Sequence, residues 1–343
     1  MDNVSHDTKN INLTSVEVGA LWNTYMVESL VHHTYAYFLK HVDDPDIKKF
    51  LKHSHDTTRE HLKLLEALFK EEKLPVPRGI TSEDINPDAP RLFTDKYYIY
   101  FEEHMSRFAL TSYSQAYAQC SRLDIRELFK TQFVELLILV NQWVTEVALS
   151  KGVYIRPPYV PLPKEVDFVK RQNFFSGFFG EKRSLTVLEI THLFNNADTN
   201  SIGTTQMTAY SQVAKSKDIR DYFIKGRDLA KTFYKNFVDV LISENIPIPP
   251  SHNSEITDSI ESPFSDRLML FHVNLLSSAG LSSYGMAITG SPRNDLSALY
   301  GKAAIESAAY AKEGASLMIE KGWMEQTPTA PDRDELAKLV KSH

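Results

Sequence analysis

Glu28 and His32 stand four residues apart within Tyr25–Tyr35. They share a stripe with Val18, Leu21, Tyr25, Tyr35 and Leu39. Residues four apart on a helix lie one above the other, so both groups point where the helix buries its apolar side. Acids and imidazoles are seldom buried without a partner or a metal. Three more ionisable residues fall at the midpoints of apolar stripes. His61 follows Ile47, Phe50, Ser54 and Thr57; His104 sits between Phe101 and Phe108; Glu135 sits between Leu128 and Leu139. Helix midpoints in a bundle share a layer, so Glu28, His32, His61, His104 and Glu135 are expected to converge. Two carboxylates and up to three imidazoles form a mixed N/O donor set suited to Fe, Mn or Zn. Tyr25, Tyr35 and Gln142 are the expected partners behind such ligands. For any one of these histidines alone, a hydrogen-bonded core residue is the simpler account.

The elements that must position them are helices. Almost no segment alternates with a period of two, which argues against strands. The pattern predicts helices over about 13–42, 45–73, 91–120 and 125–151, with Asn12 or Thr14 capping the first and Gly152 ending the fourth. Four prolines (Pro75, Pro77, Pro87 and Pro90) mark the link between the second and third helices as extended. Its 17 residues or so reach up to about 55 Å, enough to run the length of a bundle. One long crossover is the connection of ferritin-like bundles.

The chain then repeats itself. Residues 13–77 align without a gap to 185–249: Leu13-Thr14 with Leu185-Thr186, Asp46-Ile47 with Asp218-Ile219, and Pro75 and Pro77 with Pro247 and Pro249. Past the link, Phe93 matches Phe264, Asp124 matches Asp295 and Glu135 matches Glu306, and the copy ends with Lys151-Gly152 against Lys321-Gly322. The fold expected is all-α, two tandem four-helix bundles over 13–156 and 185–325. A Pro/Phe-rich bridge spans 157–184, with tails at 1–12 (disordered) and 326–343. Phe174, Phe175, Phe178 and Phe179 in the bridge are expected to plug the space between the bundles. The second copy has Asn200, Thr204, Phe233 and Leu275 where the first has Glu28, His32, His61 and His104. The fold therefore does not need imidazole at these positions.

A formal net charge of −6, with no Lys/Arg cluster, argues against a nucleic-acid surface. The single cysteine, Cys120, excludes an intrachain disulfide, fits a reducing, cytoplasmic compartment and reads as a small buried thiol. No stretch reads as a secretory signal or approaches the 20 or so apolar residues of a membrane span.

The duplicated bundle, the Leu74–Pro77 link and the Asn173–Gly180 bridge resemble a family of spore-forming bacteria related to spore coat protein F, within the ferritin-like superfamily. The resemblance covers about residues 13–324 and implies the fold, with spore association and a spore component or a second copy as partner. It implies no activity. Ferritin-like di-iron proteins carry one Glu on each of two helices and Glu-x-x-His on the other two, and no Glu-x-x-His lies on these stripes. A single ion in the first bundle, with a structural second bundle, is the leading expectation. A non-catalytic coat-like protein and a metal-dependent oxidase are the alternatives.

Overall fold

In the computed structural model the described residues are 11–161, 163–166, 168–169, 172–178 and 182–340. Their regular structure is helical, and they form two tandem repeats of four long helices. In the first repeat these are α1 (Ser15–His41), α2 (Pro45–Glu71), α3 (Asp95–Gln119) and α4 (Leu123–Ser150). In the second they are α5 (Val187–Val213), α6 (Lys217–Ser243), α7 (Asp266–Gly290) and α8 (Asn294–Glu320). Within each repeat the first helix packs on the second and third, and the fourth packs on the same two.

The helix starts follow from local chemistry. Thr14 and Glu17 form a capping box on α1, and Thr186 and Glu189 repeat it on α5. The Glu17 carboxylate also accepts the backbone N–H groups of Ser121 (2.8 Å) and Arg122 (2.7 Å), tying α1 to the α3–α4 turn. Glu189 accepts from the Arg293 N–H in the same way. Although burial opposes it, this set of donors holds the Glu17 carboxyl down at about 2. Asp44 caps α2, with Pro45 in its first turn. Lys73 and its counterpart Asn245 both take φ 57° just past the second helix.

The third helix begins at Asp95 rather than at about Arg91, because residues 92–94 pair with the other repeat. Ile85 bridges Phe264, and Phe93 bridges Ile256. Ile256 is the counterpart of Ile85 and Phe264 that of Phe93, so the two crossovers meet about a pseudo-two-fold axis. Thr94 N–H donates to the Glu255 carbonyl (3.0 Å), and Ser265 N–H donates to that of Asp84 (2.8 Å). Buried Arg267 pairs with Asp84 at 2.9 Å and with Glu325 at 3.3 Å. The main hydrophobic core joins Tyr37, Phe38, Tyr97 and Phe101 to Tyr210, Phe264 and Leu268. The repeats share one interior.

The fourth helices differ. α4 carries a π turn over Phe129–Val134, whereas α8 is a regular helix. The repeat offset records this: 171 from Asp124 to Asp295, but 170 from Lys151 to Lys321. One extra residue in α4 is what a π turn accommodates. An 18-residue window of α4 reaches a mean hydropathy of 1.4, apolar enough to cross a membrane, so the expectation that no stretch approaches one fails on composition. Only 28% of that window is buried, and Ile138 and Leu139 face outward.

The described part of the bridge does not plug the space between the repeats. Phe175 and Phe178 are exposed, and Phe174 lies under the Arg183 guanidinium, 3.9 Å from its ring centre. Phe179 and residues 1–10 lie outside the described residues. The segment expected as a C-terminal tail carries a short helix, α9 (Arg333–Val340), exposed over residues 333–338.

Candidate functional site

Between the four helices of the first repeat lies a cavity of about 50 Å³. A water needs about 10–15 Å³, so the space suits a few waters or a small ion. Its walls are largely apolar, from residues such as Val27, Val31, Met105 and Leu137. Against them stand Glu28 from α1, His61 from α2 and Glu102 from α3.

Glu28 is 5% exposed and satisfied on both oxygens. Tyr113 OH donates to Oε1 at 2.7 Å, and His61 Nδ1 lies 3.0 Å from Oε2. The distal His61 nitrogen, Nε2, is buried and makes no hydrogen bond of ordinary geometry. Burial opposes charge on the His61 ring, but Glu28 and the Gln132 carbonyl of the π turn outweigh it and push the imidazole up. Glu102 is 2% exposed and accepts from Ser54 (3.3 Å) and from the Tyr35 hydroxyl, leaving Oε2 without a partner. Burial drives its carboxyl up to about 7, beyond what the two hydroxyls recover, and the nearby Glu28 charge adds to the rise.

Of the five ligands expected from the sequence, the structure brings together Glu28 and His61. His32 is not among the cavity walls. Its Nδ1 lies 3.2 Å from the His55 carbonyl and 3.1 Å from Thr58 Oγ1, and its ring stacks on His55 at 4.3 Å. Burial, with His55 and His33 alongside, depresses it to about 4. His104 faces the second repeat, with Nε2 3.4 Å from Asp198, which also meets His252 at 3.2 Å. Residues 97–103 of α3 are all buried, because this helix packs on both repeats, so apolar spacing alone does not pick its cavity side. Glu135 is 55% exposed and 4.0 Å from Lys130. Its stripe assumed an unbroken period, which the π turn shifts by one residue. Among the expected supporting residues, Tyr35 bonds Glu102, whereas Tyr25 donates to Glu66 (3.3 Å) and Gln142 to Glu146 (2.8 Å).

Glu102 is the residue that sequence reasoning missed, although the internal repeat carried its signal. Its counterpart is Val273, while that of the neighbouring Glu103 is Asn274. The whole polar set is replaced in the second repeat: Asn200 for Glu28, Phe233 for His61, Met207 for Tyr35 and Gly226 for Ser54. Tyr284 and Asn200 keep the Tyr113–Glu28 bond, at 2.9 and 3.1 Å, without the charge. A Cβ at Gly226 would overlap the Tyr310 hydroxyl, so the glycine makes room for that ring. Past the π turn, Tyr310 is the counterpart of Val140, a cavity wall in the first repeat. The second core is filled where the first is hollow. Among the described residues, no group of three or more His, Cys, Asp or Glu is arranged to hold a metal ion.

The molecule is thus a tandem of two helical repeats with a largely apolar cavity in the first, which Glu28, His61 and Glu102 face. One family model matches both repeats, over residues 1–166 and 173–336, and the chain belongs to that family, DUF3231, described as a protein of unknown function. No curated protein matches the chain. Among solved structures, a Bacillus halodurans protein proposed to belong to the spore coat aligns with 45% of this chain and 98% of its own, at 20% identity and a TM-score of 0.40.

Proposed function

We propose that the first repeat is a ferritin-like four-helix bundle that binds one transition-metal cation (Fe, Mn or Zn) through Glu28, His61 and Glu102, and that the second repeat is its scaffold. One observation carries this reading. Two carboxylates and an imidazole, each from a different helix, face one cavity, and the sister repeat replaces all three with uncharged side chains. The layout supports it. Ferritin-like centres draw one Glu from each of two helices and Glu-x-x-His from the other two. Here Glu28 and Glu102 stand as the single acids, and Thr58-x-x-His61 stands as the reduced motif. On α4 the cavity is walled by Phe133 and Leu136 in place of a fourth set of donors. Three donors suit one ion. The absent acids and second histidine count against a di-iron oxidase.

The cavity as it stands is closed on itself. A cation would displace the proton of Glu102 and separate His61 from Glu28, because ligands bind deprotonated. That direct Glu28–His61 bond favours the competing reading, a purely structural protein, since each group satisfies the other with no ion present. Metal analysis of untagged protein, followed by thermal unfolding with added Fe²⁺, Mn²⁺ or Zn²⁺, separates the two. Binding with free metal at about a hundred times Kd stabilises by about 2.7 kcal/mol. Absence of bound metal together with absence of any thermal shift would establish the structural reading.

A further inference from the structure

We infer that a surface cleft between α2 and the π turn of α4 is the portal through which a small cation reaches the buried cavity, with the His61 ring as its movable partition. The cleft has a volume of about 300 Å³. It shares three residues with the cavity: Thr57, His61 and Leu136. Those three side chains are thus common walls of the cleft and of the space beside Glu28 and Glu102. Its outer walls are Asp56, Arg59, Glu60 and Gln132.

Three further observations fit a portal rather than a packing fault. The extra residue of α4 falls at this place, in the turn that carries Gln132. The regular helix α8, with Phe233 in the His61 position, has neither the turn nor the imidazole. π turns loosen helix packing locally and recur at functional sites. The His61 side chain, 9% exposed, holds Glu28 with one nitrogen while the other has no well-aligned partner, so a swing of the ring breaks one well-formed side-chain hydrogen bond. The mouth is also charged rather than apolar: Asp56 pairs with Lys52 and Arg59, and Glu60 with Arg59 and Lys63, so a hydrated ion meets no apolar seal there.

The nature of the ion rests on the proposed metal reading, but the route does not, and it is tested separately in the full-length protein. In a Cys120→Ala background, a His61→Cys thiol should react with methyl methanethiosulfonate, a small neutral reagent. Adding Thr57→Trp at the mouth should slow that reaction about tenfold or more, equivalent to about 1.4 kcal/mol on the barrier. Leu136→Trp replaces Thr57→Trp if circular dichroism shows that the latter misfolds. Equal labelling rates with and without the tryptophan overturn the portal. In the otherwise native protein, Thr57→Trp should slow Zn²⁺ uptake by a similar factor at unchanged stoichiometry. Failure of the unaltered protein to take up any cation would overturn the metal reading and leave the thiol result to decide the route.

Discussion

Glu102→Gln gives the sharpest test of the core site. The Glu102 carboxyl is pushed up to about 7 from an ordinary 4.5, so the folded chain holds this proton more tightly than the unfolded chain does. Stability from this group is therefore fully present below about pH 4.5. It is lost as pH rises towards 7 and is level above about pH 8, where both states are ionised. At about 1.4 kcal/mol per pH unit, the interval amounts to about 3 kcal/mol. Glutamine has no proton to lose and can still accept from Tyr35 or Ser54. In urea unfolding with EDTA, the variant should match the wild type near pH 4.5 and exceed it by about 3 kcal/mol at pH 8. Comparing the two proteins at each pH cancels every other titrating group. Saturating Zn²⁺ at pH 8 should restore the wild type and leave the variant unmoved. Parallel pH profiles in EDTA would show that Glu102 is ionised in the metal-free core and would refute the account of the cavity.

His61→Phe copies Phe233 of the second repeat. It should abolish Zn²⁺ binding in calorimetry and cost about 1–3 kcal/mol in urea unfolding, because buried Glu28 loses a partner; collapse of the fold would mean that the imidazole is structural. Tyr113→Phe removes a hydrogen bond to a carboxylate and should cost about 1.5–3 kcal/mol, whereas Tyr284→Phe, facing the neutral Asn200, should cost about 1 kcal/mol, both read by chemical unfolding. Arg267→Ala strands Asp84 in the buried seam between the repeats and should cost about 3–5 kcal/mol. A loss below about 1 kcal/mol would show that water reaches that seam.

Much of the fold is legible in the residues themselves. The long helices end where Asp43-Asp44-Pro45 and Gly152 say they should, and Pro75 and Pro77 recur 172 residues later as Pro247 and Pro249. The site is legible only in part, for three physical reasons. The π turn changes the period inside α4, so a stripe drawn through Glu135 leaves the core without any breaker residue to announce it. α3 is buried on both sides, which removes the polar face that would orient it and exchanges Glu102 for His104. His32 lies on the correct stripe of α1 but is held by His55 and Thr58 of α2, a contact that depends on how the two helices cross. The repeat comparison does not settle α3 either. Val273 opposite Glu102 marks an inward position, but Leu275 opposite His104 does so equally.

The double burial of α3 bears on what the second repeat contributes. Glu102 and His104 are two residues apart, about 200° around a helix, so one faces the cavity while the other meets Asp198 of the second repeat. Each side needs its partner repeat. Without the second, Tyr37, Phe38, Tyr97 and Phe101 would lose the contacts that Phe264 and His272 provide, and their large apolar faces would meet water. Burial of that kind is worth about 1.5–3 kcal/mol for each large side chain, which outweighs the cost of keeping one buried acid in the cavity wall. The pseudo-two-fold seam therefore does more than join two copies. The second repeat covers one side of α3, where His104 meets Asp198, while Glu102 on the other side lines the hollow.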